Sequence, residues 1–310
     1  MEETVYDIII VGGGPAGLTT ALYGGRAQLS VLLLEDSVPG GQMMNTATIE
    51  NYPGFPEGIT GSELSEHMEQ GARAWGAQFV TARAVGFAGE TGGTVRVKTE
   101  HGSFPGRTVV VAAGSRPRKL GVPGEEEYRG RGVSYCATCD GAFFRQKRLA
   151  VVGGGDSSLE EAIFLTRFAA SVTIIHRRDE LRGSRHLQER ASKNDKIRFV
   201  LNSLVEEIRG DNSVRELRLK NVKTGATSSL ACEGVFIYVG MDPNSEFLKG
   251  SLELDERGWV KTGEDLMTSL HGVFAAGDIR QKRLRQIVTA VSDGAIAAMS
   301  AEKFLSEGHA

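Results

Sequence analysis

The sequence has little cysteine, almost no net charge and no long apolar run. Three cysteines in 310 residues cannot make the disulfide framework of a small secreted protein. A reducing, cytoplasmic setting is expected instead, where a cysteine pair has chemistry to do. The 36 basic residues nearly balance the 39 acidic ones, which excludes a chain built globally to bind nucleic acid or another polyanion. No window approaches the roughly 18 apolar residues of a membrane-crossing helix. Met1-Glu2-Glu3 is acidic and no apolar stretch follows it, so no secretory leader is expected.

Glycine is in excess, 40 of 310 residues, without a collagen-like period or a low-complexity tract. The excess points to tight turns and close backbone approaches. The length predicts about two domains. Val5–Val11 is an apolar, β-branched run that enters Gly12-Gly13-Gly14-Pro15-Ala16-Gly17, the pattern of a buried parallel strand ending in a glycine turn. Pro15–Ala27 predicts a helix, and Ser30–Leu34 a second strand closed by Glu35. Gln78–Thr108 alternates like a β-meander with glycine turns near Gly92 and Gly102. Thr108–Ala113 predicts another buried strand, ending at Gly114.

The plan then repeats. Arg148–Val152 is strand-like, Gly153-Gly154-Gly155 follow, and Ser157–Ala169 predicts a helix. Val172–Ile175 is the next strand, Arg198–Ser229 a second meander, and Gly234–Val239 a closing strand. Two copies of one plan predict an α/β chain with two Rossmann-like, three-layer nucleotide-binding domains. The tail from Val273 to Asp278 and the apolar helix Gln286–Phe304 have no unit of their own. They are expected to return to the first domain, so that the second is inserted into it through linkers near Arg116–Gly124 and Met241–Phe247.

The first glycine run matches G-x-G-x-x-G in full, between a strand and a helix. Gly12, Gly14 and Gly17 permit a tight turn and close approach of a pyrophosphate to the helix N-terminus, and Glu35 can accept ribose hydroxyls. The alternative is an ordinary glycine turn. The second run keeps Gly153 and Gly155, continues with Asp156 and Ser157, and has Ser158 in third place, a residue still small enough for close helix–strand packing. Where the first unit has Glu35, the second has His176-Arg177-Arg178 and then Arg182. This is either a solvated basic turn or a site for the 2′-phosphate of NADPH, which guanidinium groups bind well and an acid would repel. The place where a ribose should lie favours NADPH.

Cys136-Ala137-Thr138-Cys139-Asp140 has three readings: half a zinc site, an inert buried pair, or a redox dithiol. Zinc usually takes four ligands, and the only other cysteine is Cys232, so no metal is expected. A Cys-x-x-Cys pair can close a disulfide and tune its thiols, and Asp140 can donate or accept a proton beside it. A dithiol with two dinucleotide sites suggests electrons entering from one nucleotide, crossing a second and leaving through sulfur. Cys232 reads as a small core residue, and His67, His101, His186 and His271 as surface or structural. Trp75 and Trp259 carry no signal beyond packing. Arg280–Arg285 is either a solvated face or, following Gly277-Asp278, part of a site.

The chain resembles the low-molecular-weight, bacterial-type thioredoxin reductases over essentially its whole length. These are FAD- and NADPH-dependent pyridine nucleotide-disulfide oxidoreductases. The resemblance is carried by Gly12–Gly17, Gly40-Gly41-Gln42, Asn51-Tyr52-Pro53-Gly54, Cys136–Asp140, Gly153–Ser157, His176-Arg177-Arg178, Gly277-Asp278 and Arg285-Gln286. It implies FAD in the first domain. Gly40, Gly41, Gln42 and Asn51 would line the flavin and ribityl chain, with Asp278 near the ribityl and pyrophosphate. Arg285, Gln286 and Ile287 would contact the flavin, and Pro15, Ala16, Ala113, Gly114 and Gly277 are counted with the same site. It also implies a homodimer and a thioredoxin substrate that docks at Phe143-Phe144, a pair that by sequence alone would be core. Ser158 departs from the family's small apolar residue.

The implied layout is an FAD domain over 1–116 and 247–310, with an NADPH domain over 117–246 carrying the cysteines. The implied path is hydride from NADPH to FAD, then reduction of the Cys136–Cys139 disulfide, then exchange with thioredoxin. Cys139 would face the flavin, Cys136 would attack thioredoxin, and the inserted domain would rotate on its linkers. The alternatives are a flavin-binding redox sensor or regulator, and a reductase of another thioredoxin-like partner.

Overall fold

The first strand, β1 (Tyr6–Val11), carries Ile8, Ile9 and Ile10, all wholly buried, as a parallel strand covered on both faces requires. Pro15 opens helix α1 (Pro15–Arg26), where its fixed φ suits the first turn and its missing N–H costs nothing. β2 (Val31–Glu35) returns parallel to β1, with Ile8 opposite Val31 and Val11 opposite Leu34. This computed structural model describes residues 4–45, 49, 51–89 and 94–308. Met1-Glu2-Glu3 and the turn expected near Gly92 lie outside the described residues.

Helix α2 (Gly61–Ala74) falls in a stretch to which the sequence patterning assigns no element. Its signal is Thr60-Gly61-Ser62-Glu63, a capping box: Thr60 Oγ1 accepts the Glu63 N–H and the Glu63 carboxylate accepts the Thr60 N–H, both at 3.1 Å. The alternating run then divides. β3 (Gln78–Thr81) joins the parallel sheet beside β2. Only β4 (Ala84–Gly89), β5 (Val95–Thr99) and the start of β6 (Gly102–Val111) form the meander. β6 is one continuous strand whose first half is antiparallel to β5 and whose second half is parallel to β1. The short β7 (Ser115–Pro117) follows.

The inserted segment supplies β8 (Val133–Ser134), α3 (Ala137–Asp140), β9 (Arg148–Gly153), α4 (Asp156–Leu165), β10 (Ser171–Ile175), α5 (Arg185–Ser192) and β11 (Ile197–Val200). β12 (Ser203–Gly210), β13 (Val214–Asn221) and β14 (Thr227–Ala231) form a separate antiparallel sheet, and β15 (Gly234–Tyr238) closes the parallel one. As with β3, the opening strand of the expected meander, β11, instead pairs in parallel, here with β10. α4 stops at Leu165, short of the expected Ala169. The next residues are bonded elsewhere: Phe168 O accepts the Gln146 N–H, and the Ala170 N–H donates to Lys147 O. The chain returns through β16 (Met241–Pro243), which pairs with β7, to β17 (Val273–Ala275) and helix α6 (Ile287–Ser306).

The chain divides into two units, Met1–Arg116 with Asp242–Ala310, and Pro117–Met241. In the first, the parallel strands run β3-β2-β1-β6 with β17 beside β6; in the second, β11-β10-β9-β15-β8. Both sheets are covered on two faces. In the first, Ile8 and Ile10 share a core with Leu18, Phe274 and Phe304, while Ile9 and Val11 share another with Val97, Leu248 and Val260. α6 lies against α1 through small residues. A Cβ on Gly294 would fall 2.3 Å from Ala16 O, and Thr20 Oγ1 donates to Gly294 O at 3.1 Å.

Candidate active site

Between β1 and α1 the backbone turns at Gly12, whose φ of +108° suits glycine, and a Cβ there would lie 2.5 Å from Ala112 O. A Cβ on Gly17 would lie 1.9 Å from Gly12 O, so α1 approaches the strand too closely for any side chain. Gly14 differs: its flank is open except for Gly41 Cα at 4.0 Å. Such a clearing admits a close-lying ligand. Gly40 N–H donates to Gly13 O at 2.7 Å, which seats the Gly40-Gly41 segment beside the turn. Glu35 Oε2 accepts the Gly13 N–H at 2.6 Å. Burial raises the Glu35 carboxyl above its ordinary range, the Gly13 N–H opposing and the neighbouring Asp36 reinforcing the rise.

The returning segment adds Asp278, Arg285 and Gln286 to the same unit. Among the described residues, Asp278 Oδ1 and Arg285 Nε are buried without a hydrogen-bond partner, an acceptor and a donor left for a ligand. Burial pushes the Asp278 carboxyl up to about 6, with Lys282 and Arg285 opposing the shift. The Arg285 guanidinium lies 3.8 Å above the Trp259 ring centroid, so Trp259 does more than fill space. Gln286 caps α6, and its Oε1 accepts from Asn51 Nδ2 at 3.1 Å. Ile287 begins that helix and packs half-buried on the core. Ala113 O accepts from Asn244 Nδ2 and Gly114 O from the Asn244 N–H. Gln42 is exposed beside Gly41.

Asp293, 6% exposed, was not anticipated. Its carboxylate accepts the Gly277 N–H at 3.0 Å, Arg280 Nη1 at 3.0 Å and Lys282 Nζ at 2.9 Å. Arg280 and Lys282 are therefore not a solvated face. The signal available was a lone acid in the apolar run of α6, which needs partners if it is buried.

In the second unit a Cβ on Gly154 would fall 2.3 Å from His176 Nδ1, while Gly155 faces open space. Ser158 fits: it is buried, and its hydroxyl donates to Gly155 O at 2.7 Å. Arg182 and Gly183 N–H groups both donate to Gly154 O, and Ser184 N–H donates to Asp156 Oδ1 at 2.6 Å. These bonds hold Arg182 beside the turn, near His176. Arg177, Arg178 and Arg182 are exposed, and among the described residues none pairs with a carboxylate. Burial lowers the His176 imidazole, and the three guanidinium groups lower it further. Ser157 is exposed in the first turn of α4.

Cys136 and Cys139 are joined as a disulfide with Cα atoms 5.3 Å apart. Cys136 caps α3, and Ala137 N–H donates to the Tyr238 hydroxyl at 2.6 Å. Ser134 Oγ donates to Asp140 Oδ2 at 2.6 Å and accepts the Cys136 N–H at 3.1 Å. Burial raises the Asp140 carboxyl, with Ser134 opposing. A second acid lies nearby: Glu161 Oε2 is buried without a partner among the described residues, and burial pushes that carboxyl up to about 7. Ser134, Tyr238 and Glu161 had no sequence signal, since each comes from a different element. Phe143 is 53% exposed, whereas Phe144 packs edge-on against Phe236 at 5.2 Å. Cys232 is buried, its thiol pushed up to about 12 by burial, and it is inert.

A family model described as pyridine nucleotide-disulphide oxidoreductase matches residues 6–294. The thioredoxin reductases of Listeria innocua and Bacillus subtilis are each 49% identical over 310 residues, 99% of this chain and 96% of theirs. The crystal structure of thioredoxin reductase from Streptococcus pyogenes is 48% identical with a TM-score of 0.90, covering 99% of this chain and 100% of that one. The Lactococcus lactis thioredoxin reductase structure, in its FR conformation, is 50% identical with a TM-score of 0.71, covering 97% and 99%.

Proposed function

The chain belongs to the pyridine nucleotide-disulphide oxidoreductase family and reduces thioredoxin disulfides with NADPH through FAD; we propose how its residues divide that work. The unit formed by Met1–Arg116 and Asp242–Ala310 holds FAD. The open flank of Gly14 receives the pyrophosphate at the start of α1, and Glu35 serves a ribose. The unpartnered Asp278 Oδ1 and Arg285 Nε support the fit, since a ligand with hydroxyls and acceptors would satisfy both. The unit Pro117–Met241 holds NADPH, with Gly155 open at the turn and Arg177, Arg178 and Arg182 on the 2′-phosphate.

Held by the Gly12–Gly17 turn, Glu35, Asp278 and Arg285, FAD would supply the two-electron chemistry that links NADPH to the Cys136–Cys139 disulfide. Cys139 is the sulfur that faces the flavin and Cys136 the one that attacks thioredoxin. Asp140, with its raised carboxyl, holds the proton exchanged with the sulfurs, and Ser134 fixes its Oδ2. Phe143, not Phe144, presents a ring to the incoming partner. The enzyme works in the cytoplasm as a homodimer. Exposed Leu284, Val288, Ile296 and Met299, on α6 and just before it, support the dimer. For the compartment, the support is the scarcity of cysteine; among the described residues no helix is long and apolar enough to cross a membrane.

The observation that carries this reading is a disulfide followed directly by Asp140, whose carboxyl burial raises, in a chain with two open glycine turns. A steady-state assay with NADPH and a thioredoxin tests it. One thioredoxin dithiol is expected per NADPH oxidised. NADPH oxidation without dithiol would contradict it.

A further inference from the structure

The two sulfurs of the disulfide have different surroundings. Cys136 Sγ receives the backbone N–H of Cys139 at 3.2 Å and lies 3.3 Å from Thr138 Oγ1. In a disulfide Cys136 Sγ has no proton, so the hydroxyl is the donor. Among the described residues no donor reaches Cys139 Sγ. Ala137, the other residue between the cysteines, is buried and has no side-chain donor. The backbone that aims Thr138 is fixed at both ends: Ala137 N–H donates to Tyr238, and Asp140 N–H donates to Cys136 O at 3.1 Å.

A disulfide sulfur is a weak acceptor, so this contact matters little in the oxidised state. After reduction it matters more, because a hydrogen bond to the charged form of a group favours that form. We propose that the Thr138 hydroxyl is a catalytic donor to the Cys136 thiolate, and that it makes Cys136 rather than Cys139 the attacking sulfur. This rests on the reading of the pair as an exchanging dithiol.

The Cys136 thiolate attacks one sulfur of the partner disulfide. That S–S bond breaks, a mixed disulfide forms, and the other partner sulfur leaves as a thiolate. Cys139, giving up its proton, then attacks Cys136 Sγ. The mixed disulfide breaks and Cys136–Cys139 re-forms. Two electrons have passed from the enzyme dithiol to the partner. The two protons on the product come from the Cys139 thiol and the Asp140 carboxyl.

The test is alkylation of the reduced holoenzyme by iodoacetamide across pH, under anaerobic conditions, with Cys136 and Cys139 scored separately by peptide mass spectrometry. Cys136 is expected to react first. In Thr138→Val the midpoint of its pH profile should rise by about one unit. Near neutral pH about tenfold less thiolate is partly offset by its greater nucleophilicity, a net slowing of about threefold. Thr138→Ser, which keeps the hydroxyl, should retain the parental midpoint. A parental flavin-to-protein absorbance ratio and a parental far-UV circular dichroism spectrum in both variants show that each is folded and loaded. An unshifted midpoint in Thr138→Val, an equal rise in Thr138→Ser, or first reaction at Cys139 would overturn the proposal. The readout is sulfur reactivity, so it is separate from turnover with thioredoxin, which tests the activity itself.

Discussion

In each unit the strand after the glycine turn ends beside the middle glycine of that turn. In the first, Glu35 accepts the Gly13 N–H; in the second, His176 fills the space beside Gly154 and feels three guanidinium groups that pair with no carboxylate among the described residues. The frame is the same, with strand orders β3-β2-β1-β6 and β11-β10-β9-β15, but the charge at the proposed ribose position is reversed. An acid serves hydroxyls and repels phosphate; a basic cluster does the opposite. The third position differs as well. α1 presses on its turn so closely that only Gly17 fits, whereas Ser158 fits at the start of α4 and bonds to Gly155 O. The fit at the third fingerprint position therefore reports how near the helix comes, and on the reading proposed above the end of the next strand selects the nucleotide.

The largest expected effect comes from giving the first unit the second unit's residue. Gly17→Ser would drive a side chain into Gly12 O, so FAD should be lost on purification, read as the flavin-to-protein absorbance ratio. Full retention of FAD would mean that the two turns are interchangeable.

Two buried acids differ in what meets them: the Asp293 carboxylate has three donors, whereas among the described residues Glu161 Oε2 has none. Asp293→Asn leaves Arg280 and Lys282 without a counter-charge and should cost about 3 kcal/mol. That corresponds to a fall of roughly 6–12 °C in the thermal midpoint of the holo chain. Glu161→Gln should go the other way. Burial raises this carboxyl from 4.5 to about 7, so the folded chain holds the proton more tightly than the unfolded one. Stability is therefore lost as pH rises through that window. The variant should gain about 1–3 kcal/mol at mildly alkaline pH and nothing at acidic pH. A gain that is the same at both would mean that ionisation is not its cause.

The basic cluster should set nucleotide choice. Arg177→Ala/Arg178→Ala is expected to lower kcat/KM for NADPH by about tenfold to hundredfold, the exposure of both side chains limiting the effect, and to leave NADH activity unchanged. An unchanged preference would return the cluster to a solvated turn. The smallest effect is reserved for Ser158→Gly, which removes one hydrogen bond and should shift KM for NADPH less than threefold.

Much of this was legible because it is local. Val5–Val11 and Arg148–Val152 are apolar runs into glycines, and both are strands within one residue of expectation. The edge strands β3 and β11 were absorbed into meanders, because alternation within a strand says nothing about which neighbour it pairs with. α2 was missed although its capping box was present in Thr60 and Glu63. At the sulfur site, Cys136, Cys139 and Asp140 are contiguous and were visible. Tyr238 and Glu161 come from β15 and α4, and only the fold brings them near.

The central claim is that electrons pass from nucleotide to flavin and then to sulfur, in separable steps carried by different residues. Anaerobic stopped-flow on holo Cys139→Ser tests it most directly. Mixing with NADPH should bleach the flavin absorbance at close to the parental rate, while added thioredoxin stays oxidised. Flavin that no longer bleaches although FAD is bound, or thioredoxin that is still reduced, would contradict it.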